Sequence, residues 1–302
     1  EISLGLVGSE MCIRDRFIVM SKIIACIDGS LVTNTVCDYA AWFSDKLNSP
    51  IKLLHVIDKP KAKAPQDLSG AIGLGSRETL LKELVELEER KGKIELEHGQ
   101  ILLREAKNYL LEKFSIDAQS FQRHGSVLET IMGMEDDIRV LVMGKHGNET
   151  EHDSSKIGTH IENVVRALHK PVLITSAPFS PPKSFLIAFD GSQTARICVD
   201  KIANSPLLKN LTAHLVYVGK PNSDMTSQVT WAKELLANNG FDVIESVLEG
   251  DVEKSILDYQ EKNSIDMMVI GAYGHSKIRQ FFIGSTTTKL LSSSTKPVLL
   301  LR

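Results

Sequence analysis

At 302 residues the chain is too long for one ordinary core and suits two. Hydrophobic residues make up 42% and charged residues 24%, which excludes a disordered chain and a membrane-embedded one. Lys and Arg number 35 against 38 Asp and Glu, a net charge of -3 with no long basic run, which argues against a protein that grips nucleic acid through its backbone.

The first nineteen residues fit poorly with the rest of the chain. EISLGLVG is apolar but lacks a basic leader, and it is followed by the charged run EMCIRDR, so the segment fails as a signal peptide. Residues 1–19 are read as extraneous, of the kind adapter read-through leaves in gene models, with a disordered natural tail as the alternative. Met20-Ser21-Lys22 then leads into a strand, KIIAC. Farther on, five segments recur in one order. KIIACIDGS at 22–30 is echoed by SFLIAFDGS at 184–192, and LLHVIDKP at 53–60 by LVYVGKP at 215–221. HGSVLETI at 124–131 pairs with EGDVEKSI at 249–256, DIRVLVMGKHG at 137–147 with SIDMMVIGAYG at 264–274, and KPVLITS at 170–176 with KPVLLLR at 296–302. The repeat implies two homologous halves: a domain at 20–178 and a second at 179–302, joined by the Pro- and Ser-rich SAPFSPPKS at 176–184.

The first half is longer by about 36 residues, which fall at 76–114. Leu80, Leu84 and Leu87, then Leu103, Ala106, Leu110 and Phe114, stand at helical spacing, with His98-Gly99 placed to interrupt it. This insertion reads as a long or bent surface helix, or as a lid or partner-binding arm. In the second half, strands are predicted at 185–189, 211–218, 241–248, 266–270 and 298–301. Helices follow Ser192, run through Trp231, Leu235 and Leu236, span 252–262 and follow Gly284. Continuous rather than alternating apolar strands mean burial on both faces. The predicted fold class is therefore α/β, two repeated, doubly wound, Rossmann-like parallel sheets of five strands.

The most informative stretch runs from Gly271 to Leu291: a strand, Gly271, two residues, Gly274, nine residues, Gly284, then Ser285, Thr286 and Thr287. Glycines let backbone amides approach a ligand, a helix start presents free N–H groups to an anion, and the hydroxyls add donors. His275 either donates to a phosphate or faces water. Neither a P-loop nor a GxGxxG fingerprint is present, and Asp190 at the end of the first strand suits the nucleoside side. Two readings stand: an anion or nucleotide site, or structural glycines at tight turns. In the first half Gly144 and Gly147 are followed by ten residues before Gly158-Thr159, with Glu149, Glu151 and Asp153 among them and Lys145 and Lys156 offsetting some of that charge. A degenerate copy is expected there.

These residues resemble the universal stress protein family in its tandem form, over 21–302. Gly271, Gly274, Gly284 and Ser285 meet its G-x2-G-x9-G-[ST] pattern; Asp28 and Asp190 supply its aspartate; Gly125 and Gly250 supply its glycine-led turn. The resemblance implies an adenine nucleotide alpha hydrolase-like fold and ATP as ligand, with Mg²⁺ as an accompanying ion. Asp190 and Val218 would meet the adenosine, and Gly271, Gly274, Gly284 and Ser285 the phosphates. The first-half equivalents are Asp28, Val56, Gly144, Gly147, Gly158 and Thr159, where the ten-residue spacing departs from the pattern. The family's dimer implies an intramolecular pseudo-dimer with 171–175 beside 297–301. It also implies a cytoplasmic role in stress tolerance, with homo-oligomers or a protein partner as further company. The alternative is a nucleotide-independent interaction protein that uses the insertion.

Catalytic candidates are few. His146, His152 and His160 lie near Glu151 and Asp153 but lack metal-site spacing, so no metal is expected. Cys26, Cys37 and Cys198 sit on apolar elements and read as packed rather than reactive. No paired acid and base stands at recognisable spacing, which leaves at most slow ATP hydrolysis.

Overall fold

The computed structural model describes residues 21–58, 74–145, 158–175, 178–220, 222–271 and 285–302. Residues 1–19 lie outside these. The first half runs β1 (Lys22–Cys26), α1 (Thr33–Leu47), β2 (Ile51–Ile57), α2 (Leu74–Phe114), β3 (Gln119–His124), α3 (Val127–Met132), a 3₁₀ turn, β4 (Ile138–Gly144), α4 (Thr159–Ala167) and β5 (Val172–Thr175). The second half repeats the plan as β6 (Ser184–Ala188), α5 (Gln193–Asn204), β7 (Thr212–Val218), α6 (Ser223–Asn238), β8 (Asp242–Leu248), α7 (Val252–Lys262), β9 (Met267–Gly271), α8 (Ser285–Ser293) and β10 (Val298–Leu301). The second-half strands predicted from the sequence lie within one residue of these bounds.

The two expected sheets join into one of ten strands, in the order β3-β2-β1-β4-β5-β10-β9-β6-β7-β8. Every pairing within a half is parallel, as the continuous apolar strands require. At the seam β5 and β10 run antiparallel, with Leu173 opposite Leu299. Helices cover both faces. Ile23, Val142, Phe185 and Val269 belong to the core under α1, α2, α5 and α6; Ile24, Leu141, Leu186 and Met268 point to the other face, under α4, α7 and α8. The edge strands β3 and β8 are the polar ones, with Gln119, Arg123, His124, Asp242 and Glu245 among their residues, which blunts edge-to-edge pairing.

Two cations tie the halves together reciprocally. Lys145, just past β4, is buried and its Nζ donates to the carbonyl oxygens of Ser292 at 2.6 Å and Ser294 at 2.9 Å, at the end of α8. Arg302, just past β10, donates from Nη1 to Leu168 O at 2.8 Å and from Nη2 to Arg166 O at 2.6 Å, at the end of α4. Each half thus supplies a cation to the carbonyl-rich, partially negative end of a helix in the other.

His98-Gly99 does not interrupt α2, which is continuous for 41 residues. A Cβ on Gly99 would stand 2.2 Å from Gln122 Nε2 and 2.5 Å from His55 Cδ2, so glycine here serves close approach of helix to sheet rather than a break. Beyond that contact Leu103, Ala106 and Leu110 are buried, and Asp38 Oδ1 on α1 accepts from Tyr109 Oη and Lys113 Nζ, each at 2.8 Å.

Candidate functional site

In each half the strand order reverses between its first and fourth strands, β1 and β4 or β6 and β9, and the crevice outside their carboxyl ends is where open α/β sheets take ligands. Both first strands end in the same turn. Gly29 and Gly191 take φ of +78° and +71°, a left-handed turn that brings Asp28 and Asp190 over the strand ends. Asp28 Oδ1 accepts from Ser30 N at 3.0 Å and Ser30 Oγ at 2.7 Å; Asp190 Oδ1 accepts from Ser192 N at 2.9 Å. Ser192 then caps α5, its Oγ accepting from Ala195 N at 3.2 Å. Both carboxylates are exposed, and each spends one oxygen on holding its turn.

Val56 and Val218 lie near the ends of β2 and β7, half-buried against the same core face. The fourth strands end in Gly144 and Gly271. Gly271 is set by packing: a Cβ there would come within 2.7 Å of Thr194 O and 3.1 Å of Cys198 Cβ on α5. The site therefore has Asp190, Val218 and Gly271 at three neighbouring strand ends, β9-β6-β7, and the equivalent Gly144, Asp28 and Val56 at β4-β1-β2.

The helix starts that would face a phosphate differ between the halves. α8 begins at Ser285, carries no acidic residue in its first turn, and presents an exposed Thr286 with Thr287 half-buried behind it. α4 begins at Thr159 after Gly158 and has Glu162 in its first turn, paired with Arg166 one turn on. His160, at the start of α4, is 3.3 Å from Asp58, two residues beyond Val56. Two residues beyond Val218 stands Lys220, exposed. Lys145, expected to offset acidic charge around the first-half glycines, points away into the seam, where burial lowers its pKa. In the sequence the repeat sets VIDKP beside VGKP, so the first half differs by an added acid, Asp58, with Lys59 answering Lys220, and nothing local marked Lys145 as a seam residue.

Gly147, Gly274, His275 and Gly284 lie outside the described residues, as do the side chains of Thr159 and Ser285. So do His146, His152, Glu149, Glu151, Asp153 and Lys156; among the described residues no group of three or more His, Cys, Asp and Glu is gathered to hold a metal. Burial pushes the thiols of Cys26, Cys37 and Cys198 up to about 12, Asp28 and Asp38 adding to the rise at the first two. They are protonated at neutral pH and chemically quiet. No described helix is long and apolar enough to cross a membrane.

The model of the Universal stress protein family matches residues 20–176 and again residues 182–302. The chain belongs to the universal stress protein family. A universal stress protein of Synechocystis sp. is 37% identical over 287 residues, covering 94% of this chain and all of that one. A crystal structure of a universal stress protein from Archaeoglobus fulgidus superposes with a TM-score of 0.68 at 19% identity, covering 93% of this chain and 98% of that one. A putative universal stress protein from Pseudomonas aeruginosa gives 0.60 at 15%, with 93% of each chain covered. These two share the tandem fold.

Proposed function

We propose that this universal stress protein binds ATP at the carboxyl ends of β6, β7 and β9, and acts in cytoplasmic stress tolerance as a nucleotide-responsive switch. The observation that carries the reading is the contrast in charge between the two crevices. The start of α8 offers amide donors, the Thr286 hydroxyl and no acid, with Lys220 near the end of β7. The start of α4 has Glu162 and Asp58 close by. An anion is favoured at a helix start by about 0.3–1 kcal/mol and disfavoured beside a carboxylate, so the second half is the one that fits phosphates. In this reading Val218 packs against the base, the oxygen of Asp190 not spent on its turn meets the ribose, and the glycines from Gly271 to Gly284 with Ser285 and Thr286 hold the phosphates. Mg²⁺ would accompany the phosphates. In this reading the chemistry is binding, with hydrolysis slow at most.

Titration calorimetry with ATP on the full chain tests this. One site per chain is expected, abolished by Gly274→Val and retained in Gly147→Val. Lys220→Asp is expected to weaken binding about tenfold by placing a carboxylate where a cation stood. Absence of binding heat overturns the proposal, and two equivalent sites overturn the assignment to the second half.

A further inference from the structure

Over residues 80–98 α2 buries no face against the rest of the described chain. Every residue from 80 to 98 is exposed except Gly92 and Glu95, which are half-exposed, and the exposed side chains include Leu80, Leu84, Leu87 and Ile94. These fall into a seam, Leu80, Leu84, Leu87, Lys91, Ile94, His98 and Ile101, with alternating steps of four and three residues. Three heptads with apolar residues at five of seven seam positions are the pattern of a helix that pairs with another helix. The seam does not continue the face that α2 lays on its own sheet. At 3.6 residues per turn it sits about a third of a turn from Gly99, Leu103, Ala106 and Leu110. Ile101, beside those buried residues, is accordingly still 41% exposed.

The charges along one flank of the seam identify the occupant. Glu83, Arg90, Glu97 and Arg104 stand seven residues apart, alternate in sign and are exposed, and none of them has a partner among the described residues. Read in reverse, this series is its own complement. We propose that α2 is a dimerisation arm, pairing with α2 of a second copy of this chain as an antiparallel two-helix coiled coil. Glu83 then faces Arg104 of the second copy and Arg90 faces its Glu97, which makes four opposite pairs across the dimer. The seam brings Leu84 against Ile101, Leu87 against His98, and Lys91 against Ile94. Each polar seam residue meets an apolar one and lies its stem along it, so neither Lys91 nor His98 meets its own copy as it would in a parallel pair. On the other flank Glu88 approaches Glu95 of the second copy, whose charge is partly met by Lys91 at 3.5 Å in its own chain. A parallel pair would set Glu83 against Glu88.

Sedimentation equilibrium of the full chain across a concentration series tests the arm, with far-UV circular dichroism to check that each variant is folded. The wild type is expected to dimerise, and Leu84→Glu and Leu87→Glu to be folded monomers. Arg90→Glu should weaken association about tenfold, since two of the four flank pairs turn repulsive, and Glu97→Arg added to it should restore association. A wild type that stays monomeric, or a dimer indifferent to Leu84→Glu, overturns the arm. Failure of the double variant to recover overturns the antiparallel pairing. None of these outcomes depends on whether nucleotide binds.

Discussion

Individual residues in this chain do their work through what lies opposite them. His214 on β7 is buried, with Nδ1 3.1 Å from Tyr259 Oη, and that phenol lies 2.7 Å from Ser246 Oγ. Burial lowers the pKa of His214, and the charge of Asp242 opposes the shift without reversing it. In the unfolded chain the same imidazole titrates near 6.5. As the pH falls below that value the unfolded state takes up the proton first, so stability present above pH 6.5 is lost toward the lower folded-state pKa. Urea midpoints measured on either side of pH 6.5 should show this decline, and His214→Gln should flatten it. The residues at the candidate site obey the same logic. Asp28, Asp190 and the glycines could be named from the sequence because the turn they build is local. Lys145 could not, because its partners at the end of α8 and just past it are 147 and 149 residues away.

At the scale of elements, α2 shows how one residue type serves two purposes. Gly92 has nothing within 4 Å of a built Cβ, whereas at Gly99 that atom would meet Gln122 and His55. His55 cannot easily yield, since its Nδ1 is held 2.7 Å from Ile27 O. Gly92→Ala should therefore stabilise the helix by about 0.8–1 kcal/mol through propensity alone. Gly99→Val should cost about 1–3 kcal/mol by forcing the helix off the sheet. Urea denaturation of the two variants should give shifts of opposite sign. The sequence reading has His98-Gly99 interrupting the helical stripe. The helix runs on because the tertiary contact favours a residue with no side chain there, which outweighs the propensity cost. Strands were more legible: a parallel strand buried on both faces is a short apolar run with little else to become.

For the whole molecule, the decisive contact is the seam between β5 and β10, flanked by the two reciprocal helix caps. Lys145→Ala removes a cation from two carbonyls in a buried place, and a charged hydrogen bond of this kind contributes about 1.5–3 kcal/mol. A lower urea midpoint is expected, with Lys145→Met recovering part of the loss through its stem; an unchanged midpoint in Lys145→Ala would show the caps to be incidental. With this seam closed inside one chain, the outer edges of the sheet are the polar β3 and β8, and the exposed apolar surface concentrates on α2. Association between chains is for that reason expected at the helix rather than at the sheet.

The amino-acid sequence by itself determined the internal repeat, the order of strands and helices, and the turns at Gly29 and Gly191 that follow the first strands. All of these rest on patterns a few residues long, in which the chemistry of near neighbours dictates the backbone. What only the tertiary structure decided was the capture of Lys145 by the far half and the unbroken α2. Each of these is a matter of which distant groups come within a few ångströms, and that distance is set by packing, which no local pattern encodes.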